Sequence, residues 1–402
     1  MIHMFKRIVI PVDNSSHSRI AEKLGIRIAK NCSSEITGLH VFSGRFHQFR
    51  FKVLEDYLPE RYQKEEILEY QRNIHSVLIE RGLELISTEY LKDLSDYCKA
   101  ENIDFHEEII DGKNSDVIIE ESKNHDLLII GAQGLGKIQD SNQLGTNTRR
   151  AVEYATSDML IAKKDATFDR IYVGIDGSDY SRNMFRKIID FAQLFNSEIT
   201  LLSSFDPFLH QTVFSSLVNV LSEEAGNVFK FKEQEELHTD VIDKSLEGLY
   251  LQYLKGLEDI GKQHGIKVRS KLLQGKPYWS IQQKIIDDKP DLIVVSRYGM
   301  HKGTYEHIGS NSLTIAEKAP SNVLIINSSS EDQYSFNEPS RFSEAIPNNV
   351  VTWSDEAKKR LENIPSFARP MAVLAIERYA KEIGCRVITP EIMKKARDKS
   401  GA

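Results

Sequence analysis

The chain has 402 residues, which is too long for one hydrophobic core of ordinary size, so two or three domains are expected. Hydrophobic residues make up 40% of the chain and charged residues 28%, a globular composition that excludes a fibrous or fully disordered protein. The 52 Lys and Arg against 59 Asp and Glu give a net charge of −7, which disfavours nucleic acid or a membrane surface as a general partner.

Cysteine usage and hydropathy exclude further classes. The three cysteines, Cys32, Cys98 and Cys385, stand far apart, which excludes a disulfide framework and disfavours a cysteine-bound zinc or iron–sulfur site. Residues 1–13 show no apolar leader segment, and no apolar run nears the roughly 18 residues that a membrane helix needs. We therefore expect a cytoplasmic protein.

The sequence contains a long internal repeat. The stretch KRIVIPVDNSSHS at 6–18 is matched by DRIYVGIDGSDYS at 169–181. The stretch GTNTRRAVEYATSDMLIAK at 145–163 is matched in the same way by GSNSLTIAEKAPSNVLIIN at 309–327. An offset that stays nearly constant across roughly 160 residues indicates duplication of a whole domain.

Each copy alternates short apolar runs with helical stretches. The runs are 7–12, 35–42, 105–110, 127–131 and 159–162 in the first copy and 171–175, 198–203, 267–273, 292–295 and 322–326 in the second. Continuous apolar runs are typical of strands buried on both faces of a parallel sheet. The pattern predicts two tandem α/β domains with helical insertions, each a doubly wound parallel sheet, at 1–165 and 166–328. We expect the final strands, 159–162 and 323–326, to meet in a pseudo-two-fold pair.

The end of the chain is predicted to form a separate small domain. Residues 329–350 lack periodicity and are rich in Ser, Asn, Glu and Pro, which predicts a linker. Residues 351–402 predict an all-α module of three helices, at 353–363, 369–383 and 390–399. Ser354 and Thr389 stand where the first and third helices need caps.

Glycines and hydroxyls follow the fourth strand of each copy. They are Gly131, Gly134, Gly145 and Thr146 in the first copy and Ser296, Gly299, Gly309 and Ser310 in the second. Glycine lets the backbone approach an anion closely, and a helix start offers unpaired N–H groups, so the pattern favours phosphate binding. Asp13 and Asp176 end the first strands at the same predicted crevice, where a carboxylate can accept from a base or a ribose.

These landmarks resemble the universal stress protein family, whose pattern is P-V-D-G-S after the first strand and G-x2-G-x9-G-[ST] after the fourth. The resemblance covers 4–165 and 167–327 and implies five-stranded parallel sheets, an ATP- or AMP-binding crevice, and pairing of two such domains in one chain or a homodimer. The nucleotide-binding residues that it implies are Asp13, Gly131, Gly134, Gly145 and Thr146, and Asp176, Gly177, Ser178, Ser296, Gly299, Gly309 and Ser310.

The two copies depart from this pattern in different ways. The glycine loop of the first copy is one residue too long and contains Asp140. The second copy has Ser296 for the first glycine, followed by Arg297 and Tyr298. We expect the second copy to keep the nucleotide, because its loop has the nine-residue length and Arg297 can meet phosphate if it turns inward.

A second set of landmarks lies in the C-terminal segment. They are Trp353-Ser-Asp-Glu-Ala, Ile364-Pro365-x-Phe367-x-Arg369, Ile376-Glu377, Gly384 and Ile388-Thr389-x-Glu391. The segment resembles the small module that ends the B subunit of light-independent protochlorophyllide reductase. The nitrogenase-like body of that enzyme has no counterpart in this chain, so the module is expected to dock an unknown protein partner or to cover a ligand. The alternative is a helical cap with no partner.

The segments between the second and third strands carry equivalent histidines. They are His47 and His75 with Glu80, and His210 and His238 with Asp243. Two histidines and a carboxylate can bind zinc, iron or manganese. However, helical positions five apart point about 140° apart, so His75 and Glu80 do not share a face. We favour a duplicated helical hairpin whose histidines cap, pack or pair across the two copies, and a metal is the alternative.

These features favour a tandem universal stress-type protein that responds to ATP or AMP and acts in regulation or stress protection through a docking module. The alternative is a metal- or tetrapyrrole-associated accessory protein with silent nucleotide sites. No Walker lysine, general base or magnesium carboxylate stands out near the glycine loops. We therefore expect no catalytic residues and at most a weak ATPase activity.

Overall fold

The computed structural model describes residues 4–136, 143–206, 243–300, 307–328, 352–362 and 387–400, with a few single positions and pairs at 233, 237 and 372–385. The chain divides into two compact units, Met1–Tyr334 and Ser335–Ala402. Within the described ranges, no helix combines the length and the apolar character that crossing a bilayer requires.

Alternating strands and helices form the first half of the larger unit. The strands are β1 (Arg7–Pro11), β2 (Glu35–Phe42), β3 (Phe105–Asp111), β4 (Leu127–Gly131) and β5 (Asp158–Ala162). The helices are α1 (Ser16–Cys32), α2 (Gly44–Leu54), α3 (Glu65–Ala100), α4 (Asn114–Ser122) and α5 (Thr146–Tyr154). Two 3-10 turns, Glu55–Tyr57 and Glu60–Tyr62, connect α2 with α3.

The second half repeats this order. Its strands are β6 (Arg170–Gly174), β7 (Glu198–Phe205), β8 (Lys267–Gln274), β9 (Leu292–Ser296) and β10 (Asn322–Ile326). Its described helices are α6 (Asp179–Phe195), α7 (Asp243–Gln263), α8 (Pro277–Asp288) and α9 (Ser310–Lys318). All ten predicted strands are confirmed, with ends that differ from the prediction by at most two residues.

The strands form one ten-stranded sheet in the order β3-β2-β1-β4-β5-β10-β9-β6-β7-β8. All pairs within each half are parallel, and β5 pairs antiparallel with β10, with Leu160 opposite Leu324. The predicted meeting of the final strands is therefore confirmed. In each half the order reverses between the first and fourth strands, which opens a crevice at their carboxyl ends.

The sheet is buried on both faces because its strands alternate between two apolar cores. Ile8 and Ile10 of β1 join one cluster of buried residues, and Val9 joins the other. The first cluster continues into the second half through residues such as Ile171 and Leu324. Helices cover both faces, as continuous apolar strands require.

The smaller unit has its own core, which contains Ala357, Ile376, Ala380, Ile388 and Met393. Its helices α10 (Asp355–Glu362) and α11 (Pro390–Ser400) lie where the first and third helices were predicted. One detail of the all-α prediction is corrected, because β11 (Thr352–Trp353) and β12 (Val387–Ile388) form a short parallel ladder. As predicted, the Ser354 hydroxyl caps α10 by accepting from Ala357 N at 3.2 Å.

Candidate nucleotide crevice

The crevice of the first half contains a cavity of about 580 Å³. It lies at the strand-order reversal, between the end of β1, β2, α3, the loop after β4 and the first turn of α5. The predicted residues that line it are Asp13, Gly131, Gly134, Gly145 and Thr146. The structure therefore brings together all five residues that were predicted for the first copy.

The Asp13 carboxylate fixes the loop after β4. Its Oδ1 accepts from Ser15 N at 3.0 Å, and its Oδ2 accepts from Leu135 N at 3.2 Å. A Cβ on Gly134 would stand 2.5 Å from Asp13 Oδ2, so only glycine lets the loop lie this close to the carboxylate. Asp13 thus shapes the cavity wall as well as lining it.

Gly131 has a different role from the expected approach to an anion. A Cβ at this position would stand 2.7 Å from the backbone carbon of His17 and 2.9 Å from Ser18 N. The glycine therefore lets the first turn of α1 pack against the end of β4. Close helix packing explains this glycine without a phosphate.

The first turn of α5 presents backbone N–H groups to the cavity. Gly145 is the N-cap residue and, having no side chain, leaves the first N–H groups of the helix without a side-chain cap. Thr146 is exposed at the cavity rim, whereas the Thr148 hydroxyl donates to Gly131 O at 2.7 Å. This helix start can bind an anion. Asp140 of the loop lies outside the described residues.

His40, Ser18 and Tyr90 also line the cavity and were not predicted as site residues. His40 is 9% exposed, and its Nδ1 lies 2.7 Å from Ser87 Oγ of α3. The Tyr90 ring meets the His40 ring edge-on, with 5.2 Å between centroids. Burial lowers the pKa of His40, and the Asp13 carboxylate opposes that shift. The only signal in the sequence was a histidine between the apolar residues Leu39 and Val41 of β2.

Below the cavity, Ser18 connects to a buried carboxyl group. The Ser18 hydroxyl donates to Glu22 Oε1 at 3.2 Å and accepts from Asp13 N at 3.3 Å. Burial raises the pKa of Glu22 to about 7. Phe185 occupies the position of Glu22 in the second half, so only the first copy has this series of hydrogen bonds from Asp13 through Ser18 to a buried carboxyl group.

The second half repeats the loop fixation of the first. Asp176 Oδ1 accepts from Ser178 N at 3.0 Å, and its Oδ2 accepts from Met300 N at 2.9 Å. A Cβ on Gly299 would stand 2.6 Å from Asp176 Oδ2. Gly177 has a φ of +87°, and its counterpart Asn14 has a φ of +59°, so the turn after each aspartate needs a residue that tolerates the left-handed region.

The remaining predicted residues of the second copy lie close to this loop. Gly309 is the N-cap of α9, and Ser310 is exposed on its first turn. The Ser296 hydroxyl oxygen is buried and has no hydrogen-bond partner in the described part of the chain. Residues 301–306 of the loop lie outside that part.

Arg297 contacts the first half of the larger unit. Its side chain is turned inward and is 2% exposed, and its Nη2 donates to Glu153 O at 2.8 Å. Glu153 lies in the last turn of α5, where carbonyl groups lack helical partners and attract a cation. The guanidinium therefore connects the two halves through Nη2, whereas its buried Nη1 has no hydrogen-bond partner in the described part of the chain, and the expected phosphate contact stays a prediction.

The described histidines of the insertions, His47 and His75, lie in different environments. His75 stacks on Phe51 with 4.3 Å between ring centroids, and His47 is exposed on α2. Among the described residues, no group of three or more His, Cys, Asp or Glu side chains is placed to hold a metal ion. His210, His238 and the side chains of Glu80 and Asp243 lie outside the described part of the chain.

Comparison with known proteins agrees with this fold. Residues 4–163 and 167–327 match the model of the Universal stress protein family. Because the two matches cover well over half of the chain, it belongs to this family. Residues 353–397 match the family model described as Proto-chlorophyllide reductase 57 kD subunit. Both resemblances seen in the sequence are thereby confirmed.

Individual relatives are distant. A universal stress protein of Methanocaldococcus jannaschii is 25% identical over 169 residues, which span 40% of this chain and 84% of that protein. A universal stress protein structure from Archaeoglobus fulgidus aligns with 82% of this chain and 98% of its own, at 15% identity and a TM-score of 0.51. The structure of a functionally unknown protein from Pseudomonas aeruginosa aligns with 80% of this chain and 92% of its own, at 12% identity and a TM-score of 0.51. At these identities the structures support the fold alone.

Proposed function

We propose that this chain is a regulatory or stress-protective protein that binds an adenine nucleotide, ATP or AMP, in the crevice of its first half. The observation that carries the proposal is the cavity between the loop fixed by Asp13 and the uncapped first turn of α5. Its volume of about 580 Å³ lies within the range of about 300–1,000 Å³ that is usual for small-molecule sites.

This proposal places the nucleotide in the first copy, whereas the sequence favours the second copy. Arg297, which was expected to meet phosphate there, is engaged with α5. Ala132 occupies the equivalent position in the first half, where the loop lies against an open cavity. The residues proposed for the second copy, from Asp176 to Ser310, stay candidates for a second and weaker site.

Aspartate at the N-cap of α5 tests this proposal. In Gly145→Asp, the new carboxylate would accept from the N–H groups of the first turn and would repel phosphate. Gly145 has a φ of −62°, and a Cβ there meets its nearest atom at 3.4 Å, so the helix can accept the residue. We expect ATP and AMP affinity to fall at least tenfold, with no loss of thermal stability, since an aspartate N-cap is better than a glycine N-cap by only a few tenths of a kcal/mol.

Gly309→Asp is the matched control, because Gly309 caps α9 of the second half with a φ of −59° and the same free space. Calorimetric titration of both variants separates the two copies. Weaker binding only in Gly309→Asp would place the nucleotide in the second half. An absence of binding by the unmodified chain would reject the nucleotide proposal itself.

The C-terminal unit is proposed to dock a protein partner. Support comes from its match to a module of a multisubunit enzyme and from a core separate from that of the larger unit. We expect no reductase chemistry and at most weak ATP hydrolysis. A metal- or tetrapyrrole-associated role gains no support from the described histidines, which pack or face solvent.

A further inference from the structure

We infer that the ring atom Nε2 of His40 accepts a hydrogen bond from the bound nucleoside. The donor is either the exocyclic amine of the base or a ribose hydroxyl. The inference rests on the proposed nucleotide site and names the chemistry that this site selects.

The hydrogen bonds around Ser87 determine which ring nitrogen of His40 carries the proton. The Ser87 hydroxyl donates to Leu83 O, one helical turn earlier in α3, at 2.7 Å. A hydroxyl has one proton, so Ser87 Oγ can only accept from His40, at a distance of 2.7 Å. His40 Nδ1 must therefore carry the N–H. In the neutral ring, Nε2 is then a bare acceptor.

The surroundings of the ring keep it neutral and fixed. Burial lowers the pKa of His40, so the uncharged form prevails at neutral pH despite the opposing charge of Asp13. The Tyr90 ring packs edge-on against the imidazole and holds its plane. Within the described residues, His40 has no further hydrogen bond, and His40 and Tyr90 both line the cavity, so the proposal assigns Nε2 to the contents of that cavity.

A ligand that fills the cavity displaces water from Nε2. A buried acceptor that loses water without gaining a donor costs free energy, so the site should reject a nucleoside without a donor at this point. A donor in the ligand restores the lost hydrogen bond. The cavity therefore selects its ligand by a hydrogen-bond donor of the nucleoside. The glycine loop and the start of α5, which are proposed to bind phosphate, cannot distinguish ligands by this donor.

The second half offers a matched control. Ser203 stands in β7 where His40 stands in β2, and its buried hydroxyl oxygen has no hydrogen-bond partner in the described part of the chain. A serine at this depth has neither the reach nor the ring of histidine. Selectivity by this mechanism should thus be confined to the first copy.

The test combines protein variants with ligand analogues. The full chain and its variants His40→Phe and Ser203→Ala are titrated with AMP, 2′-deoxy-AMP, 3′-deoxy-AMP and IMP, in which an oxygen replaces the exocyclic amine. We expect His40→Phe to bind AMP about tenfold more weakly, the effect of one lost buried hydrogen bond. The analogue that lacks the recognised donor should be weakened similarly in the unmodified chain and show no further loss in His40→Phe. Ser203→Ala should bind like the unmodified chain.

The analogue with this behaviour identifies the donor as the amine or as one ribose hydroxyl. In Ser87→Ala the proton of His40 is no longer fixed on Nδ1, so we expect a smaller preference for AMP over that analogue. If Ser87 had a purely structural role, this preference would not change. A His40→Phe variant that loses affinity equally for all four ligands would overturn the inference while leaving the nucleotide site intact. If the unmodified chain prefers AMP over none of the analogues, the inference also fails. If it binds none of the ligands, the proposed function fails with it.

Discussion

At the scale of single residues, Glu22 is the most unusual side chain of the larger unit. It is 3% exposed on α1, and its described hydrogen-bond partner is the Ser18 hydroxyl. Burial raises the pKa of Glu22 to about 7. A carboxyl group in this setting is protonated in much of the folded protein at neutral pH and ionises at the cost of folding free energy.

Glutamine in place of Glu22 should remove the pH dependence that this carboxyl group gives to the free energy of unfolding. The folded pKa of Glu22, about 7, lies above its ordinary value of 4.5, so its contribution to stability is fully present below pH 4.5 and is lost as pH rises through 7. One pKa unit corresponds to about 1.4 kcal/mol, so this loss amounts to at most about 3 kcal/mol. Glu22→Gln keeps the acceptor for Ser18 and cannot ionise. We expect the variant to be more stable than the unmodified chain at pH 8 and nearly equal to it at pH 5.

Urea unfolding at the two pH values measures this difference. Glu89→Gln is the control, because Glu89 lies on the exposed side of α3 with its side chain 72% exposed. An equal effect of Glu22→Gln at pH 5 and pH 8 would show that the carboxyl is ionised in the folded chain.

The sequence located several site residues but not all their roles. Asp13, Gly134 and Gly145 were predicted because a motif places them after buried strands, and the structure brings them to one cavity. The packing role of Gly131 could not be predicted, since it depends on how closely α1 approaches β4. His40 was missed for a similar reason. A polar residue within a largely buried strand gives no indication of what it will face.

At the scale of elements, α3 is longer than the sheet that it covers. Its 36 residues extend about 54 Å, whereas the eight residues of β2 extend about 26 Å. The first half of α3 is therefore held by α2 and the 3-10 turn after it. Phe51 of α2 stacks on His75, and Arg72 donates two hydrogen bonds to Glu55 of the turn, at 2.6 and 2.7 Å. The predicted hairpin of the first insertion is confirmed, and so is a packing role for His75.

Gly82 weakens α3 near its middle. A glycine in a helix interior costs about 1 kcal/mol relative to alanine, and a Cβ on Gly82 would meet no atom within 4 Å. We expect Gly82→Ala to raise the free energy of unfolding by about 0.5–1 kcal/mol, measured by urea denaturation. Gly265→Ala is the control, since it has the same free space but a φ of +76°. That variant should be destabilised. Stabilisation of both variants would indicate that strain does not govern Gly265.

The boundaries of the inner strands were predictable because burial on both faces leaves a continuous apolar run for each of them, whereas the edge strands β3 and β8 are only partly buried. The strands are thus found to within two residues. The ladder of Thr352–Trp353 with Val387–Ile388 was not predictable in this way. Two residues are too short for a periodic pattern, and the partners are more than thirty positions apart in the chain.

At the scale of the molecule, side chains that differ between the copies join the two halves of the sheet. Asp158 is 3% exposed, pairs with Lys187 of α6 and accepts from Asn327 N at 2.8 Å. Its counterpart Asn322 instead accepts from the backbone of Lys163 and Lys164 at 2.8 and 3.1 Å. The repeat predicts the pseudo-symmetry, but only the structure shows that each copy fills the shared interface differently.

The last prediction concerns the independence of the two compact units. The smaller unit buries its own apolar residues, and the larger unit completes its sheet and both of its cores without residues beyond Ile326. Removal of residues 335–402 should therefore leave the melting temperature of the larger unit within about 2 °C of its value in the full chain, because no core residue is lost. AMP affinity should also be unchanged, since the proposed crevice lies wholly in the first half. Calorimetric melting and titration of the shortened chain measure both quantities. A large fall in melting temperature would mean that the C-terminal unit stabilises the sheet directly, and a change in affinity alone would mean that it regulates the nucleotide crevice.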